Sequence, residues 1–68
     1  MAQDEVLRDR MGRELGRIRT GISGELEAFD RMGRRLGSYD PRRNITYDQM
    51  GREVGQGNLL AALIWRAG

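Results

Sequence analysis

The apolar residues between positions 7 and 36 recur at intervals of three and four, and this spacing constrains the fold more than any other feature of the sequence. They are Leu7, Met11, Leu15, Ile18, Ile22, Leu26, Phe29, Met32 and Leu36. Such spacing places side chains on one face of an α-helix. One unbroken helix over this range would be about 45 Å long, which is longer than a small domain is expected to be wide.

We therefore predict a break near Gly21, which can end one helix, and Ser23, which can cap the next. The two predicted helices cover about residues 3–20 and 24–36, and Gly37 ends the second of them. The alternative is a single helix over residues 3–36 that forms a coiled-coil-like dimer. Pro41 biases Asp40 away from helical angles, so residues 38–41 are predicted to form a turn.

The segment from Ile45 to Gly68 has the spacing of a helix-turn-helix. Thr46 and Gln49 can form a capping box at the start of a third helix, which Gly55 would end. Asn58 can cap a last helix that carries the apolar run 59–65. The sequence thus predicts a small all-α, four-helix domain completed by dimerisation. It has an N-terminal amphipathic helix in residues 1–23 and a helix-turn-helix-like unit in residues 24–68.

A short pattern occurs three times, in residues 9–16 (DRMGRELG), 30–37 (DRMGRRLG) and 48–55 (DQMGREVG). The copies start 21 and 18 residues apart, too irregularly to indicate a solenoid array. One interpretation is a docking face on which paired glycines allow close helix approach. The other is ordinary amphipathic helices, in which the second glycine ends the helix in copies two and three.

Composition excludes several kinds of functional site. The chain has 68 residues without cysteine or histidine, so disulfides, thiolate metal sites and the commonest catalytic base are absent. We expect no catalytic residues, no metal site and no cofactor. The acidic start and the lack of a long apolar run predict no signal peptide and no membrane span, and the simplest interpretation is a cytoplasmic protein.

All 12 basic residues are arginine, which binds phosphate or carboxylate in a planar, bidentate geometry. An arginine-rich and glycine-rich composition also follows from a GC-rich genome. The excess of arginine is largest in the middle of the chain, where Arg31, Arg34, Arg35, Arg42 and Arg43 accompany only Asp40.

Residues 43–55 (RNITYDQMGREVG) resemble the first helix of the helix-turn-helix in region 4 of bacterial sigma factors and related regulators. The preceding residues 35–41 (RLGSYDP) are similar to the loop that those domains place after the preceding helix. In that family the helix after the turn reads base edges in the major groove, which here corresponds to residues 56–68. That stretch offers only Gln56, Asn58 and Arg66 as polar groups, whereas sequence readout needs hydrogen-bonding side chains.

A weaker resemblance links residues 45–64, with one gap, to the C-terminal half of small acid-soluble spore proteins, and residues 29–32 (FDRM) are similar to their first helix. The resemblance implies non-specific coating of DNA. That family carries basic residues where this chain has Ala61 and Ala62.

The leading prediction is a small protein that binds double-stranded DNA through arginine and phosphate contacts. Its predicted DNA ligands are Arg42, Arg43, Arg52, Gln56 and Asn58, and its predicted core or interface residues are Leu15, Ile18, Ile22, Phe29, Leu60, Ile64 and Trp65. We also expect a homo-oligomer. The rival hypothesis is a protein-interaction or self-assembly module that does not bind DNA and docks a partner through its apolar C-terminal helix.

Overall fold

The computed structural model describes residues 3–67 and shows one antiparallel β-sheet with a single helix packed on one face. The elements are β1 (Gln3–Arg8), β2 (Glu14–Thr20), β3 (Leu26–Asp30), β4 (Arg35–Asp40), β5 (Ile45–Asp48), β6 (Glu53–Gln56) and α1 (Leu60–Ala67). The prediction of an all-α, four-helix domain is therefore wrong.

Three of the four predicted helices are β-hairpins or parts of them. Residues 3–20 form β1, a turn and β2, residues 24–36 contain β3 and the start of β4, and residues 46–55 contain most of β5, a turn and β6. The predicted helix-turn-helix is wrong because its first helix is this last hairpin. Only the final predicted helix is present, and it begins at Leu60. The ends of the predicted segments at residues 1, 2 and 68 lie outside the described residues.

The helical spacing was misleading because it combines strand residues with turn residues. Leu7, Leu15 and Ile18 lie in strands and pack on the core. In contrast, Met11 and Ile22 lie in turns, with exposed fractions of 76% and 92%. The apolar residues are therefore spaced three and four apart because strand residues and turn residues alternate along the chain, and not because they share one face of a helix. Ile22, predicted as a core or interface residue, lies outside the core for this reason.

The sheet is a simple meander in which each strand pairs with the next along the chain, in the order β1-β2-β3-β4-β5-β6. Residues that pair directly across antiparallel strands share a face of the sheet. Ile18 is opposite Ala28, and Ala28 is opposite Gly37, so these three residues share the face that packs against α1. The other side, which we call the open face, carries the side chains that alternate with these along each strand, such as Arg17, which is opposite Phe29. The predicted boundary between residues 23 and 24 falls in the β2–β3 turn of this sheet.

The core lies between α1 and the middle of the sheet. Ala28, Leu60 and Ile64 are fully buried, and Leu15, Ile18 and Leu26 are among the partly buried residues packed around them. Two strand glycines make room for the helix. A Cβ on Gly16 would meet Ile64, and a Cβ on Gly37 would meet Leu63. Small residues beneath α1 therefore allow it to approach the sheet closely.

Thr46 joins β5 to the start of α1 and is the one polar residue fully buried in the described part of the chain. Its hydroxyl donates a hydrogen bond to the Gly57 carbonyl oxygen at 2.6 Å and accepts one from the Leu59 N–H at 2.9 Å. The Asn58 side chain accepts a further bond from the Leu60 N–H at 3.2 Å. Thr46 was predicted to cap a helix beginning beside it. Instead its hydroxyl is the hydrogen-bond partner of backbone groups in Gly57 and Leu59, just before α1 begins at Leu60.

We expect Gly37→Ala to destabilise the fold because the added Cβ overlaps the Tyr47 carbonyl oxygen and Leu63 Cδ1. Overpacking of this kind costs about 1–3 kcal/mol. Ser38→Ala, at the next position and on the open face, is the matched control and should change the free energy of unfolding by less than about 0.5 kcal/mol. Urea denaturation measures both, and equal stabilities of the two variants would contradict the packing described here.

Thr46→Val should cost about 1–3 kcal/mol of folding free energy, because the shape is kept while a buried carbonyl and a buried N–H lose their partner. Thr46→Ser retains the hydroxyl and should lose less. Thermal unfolding followed by circular dichroism compares the two variants. A valine variant as stable as the serine variant would show that the hydroxyl contributes nothing.

Candidate functional site

The repeated sequence pattern forms the same hairpin turn three times. In the second copy, the Asp30 N–H donates to the Arg34 carbonyl oxygen at 2.9 Å, and the Gly33 N–H donates to the Asp30 carbonyl oxygen at 3.0 Å. Asp30 Oδ1 accepts hydrogen bonds from the N–H groups of Met32 (2.8 Å) and Arg34 (2.9 Å). The turns that begin at Asp9 and Asp48 contain the same four hydrogen bonds.

Each of these turns needs its glycine. Gly12, Gly33 and Gly51 have φ angles of +83°, +86° and +84°, a region that side-chain-bearing residues rarely adopt. In each hairpin the pairing register shifts near the turn, as in three-residue loops that end in a glycine bulge. The first glycine of each copy is therefore a turn signal, and the interpretation of the copies as helices, whether packed through paired glycines or ended by the second glycine, is wrong. The second glycines Gly16 and Gly37 do lie against a helix, but they are strand residues beneath α1.

Because successive strands alternate in direction, the three repeated turns lie at the same end of the sheet. They are two strands apart, which corresponds to about 10 Å. We call them the turn row. Met11, Met32 and Met50 occupy the same position in each turn, with exposed fractions of 76%, 72% and 72%. The turn row thus presents three methionines in line, each followed two residues later by an exposed arginine.

The predicted DNA ligands divide between the two ends of the sheet. Arg42 and Arg43 lie in the β4–β5 turn, and Gln56 and Asn58 lie at the same end, where β6 finishes. Arg52 lies at the opposite end, in the turn row. The structure therefore does not bring these five residues together into one surface.

Arg43 is held within its own turn. Its Nε lies 3.9 Å from Asp40 Oδ2, and a hydrogen bond with the Tyr47 side chain is the main cause that raises the pKa of Arg43 above its ordinary value. Attraction to the Tyr47 oxygen and to Asp40 adds to this rise in pKa. Arg43 is thus oriented by two neighbours in its own hairpin.

The predicted core residues also occupy different environments. Leu60 and Ile64 are fully buried on the side of α1 that faces the sheet, whereas Trp65 on the same helix is exposed. Phe29 is half-buried and lies on the open face, away from the core around Ala28. The Arg19 guanidinium lies over the Phe29 ring, with its Cζ 5.8 Å from the ring centroid.

The open face carries cross-strand ion pairs. Arg19 Nε lies 3.3 Å from Asp4 Oδ1, and Arg35 Nε lies 2.9 Å from Glu27 Oε2. These side chains are partly exposed, so each pair contributes little to stability. Their main effect is to hold long side chains in position across neighbouring strands.

A concave surface of about 440 Å³ lies on the open face beside the turn row. We call it the arginine groove. Its lining contains three arginines and no acidic residue, and consists of Arg17, Arg19, Phe29, Arg31, Met32 and Gly33. Sequence reasoning missed this surface because Arg17 and Arg31 were assigned to helices. Strand alternation, read with the turn glycines as hairpin signals, would have placed Arg17, Arg19 and Phe29 on one face.

No protein-family model, curated protein or solved structure matches this chain. Within residues 3–67, no helix has the length and apolar character needed to cross a membrane. The same part of the chain contains no group of three acidic side chains placed to hold a metal ion.

The first repeated turn predicts a pH-dependent contribution to stability. The hydrogen bond from the Arg13 N–H is the largest single influence on the pKa of Asp9, and it lowers this pKa. Desolvation, the next largest influence, raises the pKa, but the Met11 N–H and the Arg13 guanidinium lower it further, so the net shift is downward. Because the pKa is lower in the folded state, the stabilisation is complete above the unfolded-state value of about 3.9. It is lost as the pH falls through the folded-state pKa.

NMR titration of the Asp9 carboxyl carbon should therefore give a pKa below 3.9. Asp9→Asn keeps an oxygen acceptor for both N–H groups but removes the titrating acid. This variant should lose less stability than the parent chain between about pH 5 and pH 2. Identical pH profiles for the two proteins would contradict the assignment.

Proposed function

We propose that this protein is a β-hairpin module that functions by self-assembly. An outer strand of one copy pairs with an outer strand of the next, so that the sheet extends from copy to copy. The observation that carries the proposal is the regular meander, in which one five-residue turn recurs at the same end of the sheet. This proposal corresponds to the self-assembly alternative from the sequence. Its contact surface is a strand edge and not the C-terminal helix.

The outer strands leave backbone groups without partners in the described part of the chain. β1 pairs only with β2, and β6 pairs only with β5. Unpaired strand edges are templates for further strand pairing. Because β1 and β6 run in opposite directions, placing β6 of one copy beside β1 of the next continues the antiparallel order. All helices would then lie on one side of the extended sheet.

Both outer strands carry a valine that the fold leaves partly exposed. Val6 in β1 and Val54 in β6 have exposed fractions of 37% and 38%, and each follows a glutamate. Only three apolar side chains in the described residues are fully buried. A small core of this kind gives limited stability, so added strand pairing would stabilise the sheet.

Binding of duplex DNA stays a separate prediction that depends on Arg42, Arg43, Arg52, Gln56 and Asn58. The helix-turn-helix on which that prediction was based is absent, and the segment expected to read bases is mostly α1, whose inner side is buried against the sheet. The assembly proposal needs no DNA, no cofactor and no catalytic group.

We expect the full chain to associate in a concentration-dependent manner, as measured by sedimentation velocity or light scattering. Val6→Lys combined with Val54→Lys places a charge on each edge, which natural proteins use to prevent strand pairing. This variant should sediment as a monomer at concentrations where the parent chain associates. Its circular dichroism should retain the sheet signal.

The matched control is Met11→Lys combined with Ile22→Lys, which adds the same two charges at apolar residues in exposed turns. It should associate as the parent chain does. A parent chain that remains monomeric at millimolar concentration would overturn the assembly proposal, as would equal loss of association in the control.

A further inference from the structure

We propose that the arginine groove binds single-stranded nucleic acid, with neighbouring phosphodiesters on its guanidinium groups and a base against Phe29 and Arg19. The groove lies on the open face, whereas assembly would use the strand edges, so this inference is independent of the proposed function. It also differs from the predicted duplex site, with which it shares no residue.

Two of the three arginines are positioned by neighbouring acids. Arg17 Nη2 lies 3.4 Å from Glu14 Oε2, and Arg19 Nε lies 3.3 Å from Asp4 Oδ1. A guanidinium has five N–H donors, and each ion pair occupies one nitrogen. The remaining donors are available to a phosphate, while the ion pairs restrict where the guanidinium groups can move.

Arg31 supplies the third cation from the turn row. Its neighbour Asp30 is already occupied, because Oδ1 accepts two backbone N–H groups and Oδ2 lies 3.4 Å from Arg34 Nε. Within residues 3–67, no carboxylate lies within ion-pair distance of Arg31. Planar guanidinium groups bind phosphate in bidentate fashion, which makes Arg31 a natural partner for a phosphodiester.

The apolar part of the groove favours a nucleobase. Phe29 forms its floor, Met32 contributes an exposed thioether at its rim, and Arg19 lies over the Phe29 ring. Bases stack on aromatic rings and on the planes of arginine side chains, and this combination with cationic groups is how sheet surfaces bind single strands. An acidic peptide would use the guanidinium groups but not the aromatic surface.

A single strand fits this arrangement better than a duplex. In a duplex the base faces are stacked on one another, so Phe29 and Met32 would contact only the sugar-phosphate backbone or the edges of the bases. The groove volume of about 440 Å³ falls within the usual range for small-ligand pockets, and its open shape lets a chain enter and leave. Affinity should therefore come from a few phosphates and one stacked base.

Fluorescence anisotropy with a labelled oligothymidine of about twelve nucleotides tests the proposal on the full chain at low salt. Arg17→Gln combined with Arg31→Gln should weaken binding by about tenfold, because two phosphate contacts are lost. Phe29→Leu keeps an apolar side chain but removes the ring, and should weaken binding by about fivefold or more. Raising the salt from 50 to 200 mM should reduce affinity by about sevenfold if two phosphates are neutralised.

The matched control is Arg10→Gln combined with Arg13→Gln, which removes two exposed charges from the first turn of the turn row, where Arg10 occupies the position that corresponds to Arg31. It should change the affinity by less than about twofold, and thermal unfolding should show that all variants fold. Equal weakening by both arginine pairs would overturn the proposal in favour of a general charge effect. Three other results would also overturn it, namely no binding at low salt, tighter binding of a duplex of the same length, or equal binding of a labelled polyglutamate.

Discussion

The contact between α1 and the small residues of the sheet is the interaction on which the rest of this structure depends. A single-layer sheet has no interior of its own, and here Leu60 and Ile64 supply one by packing over Ala28. The close approach is possible because Gly16 and Gly37 present no side chain to the helix. Thr46 fixes where the helix starts, so the same residue joins the last hairpin to the core. Without this contact, the apolar face of the meander would be exposed to water.

The repeated turn determines register and therefore which residues share a face. An aspartate that accepts two backbone N–H groups and a glycine with positive φ define a loop of fixed length. A loop of fixed length allows one pairing register, and a shift by one residue would turn every side chain to the other face. Placing Ala28 beneath α1 and Phe29 on the open face is thus a consequence of the turn that follows them. The repeated turn therefore determines both which residues form the core and which residues line the arginine groove.

The turn residues are visible in the sequence, but the apolar spacing and the turn residues predict different structures. The apolar spacing predicts helices, whereas the aspartates and glycines predict hairpin turns. Steps of three and four from Leu7 to Leu36 predicted helices, although the glycines at positions 12 and 33 would each cost a helix about 1 kcal/mol relative to alanine. Their recurrence three residues after an aspartate is a turn signal that should have outweighed the apolar spacing. The final helix was predictable because the run from Leu59 to Trp65 has no such interruption. The arginine groove was missed because it joins residues from β2, β3 and the β3–β4 turn, which come together only once these segments are recognised as paired strands.

The two proposed interactions are compatible because the fold assigns them to different parts of the sheet. The helix occupies one face, the repeated turns occupy one end, and the outer strands lie at the sides, which leaves the open face accessible. If copies add edge to edge, their open faces continue in one direction, and the arginine grooves recur once for each copy. A nucleic-acid strand running across such a sheet would meet several weak sites in succession. Linked weak sites bind far more tightly than one alone, since each further contact becomes intramolecular. An arginine groove that binds a single strand weakly in one copy can therefore support tight binding in an assembly.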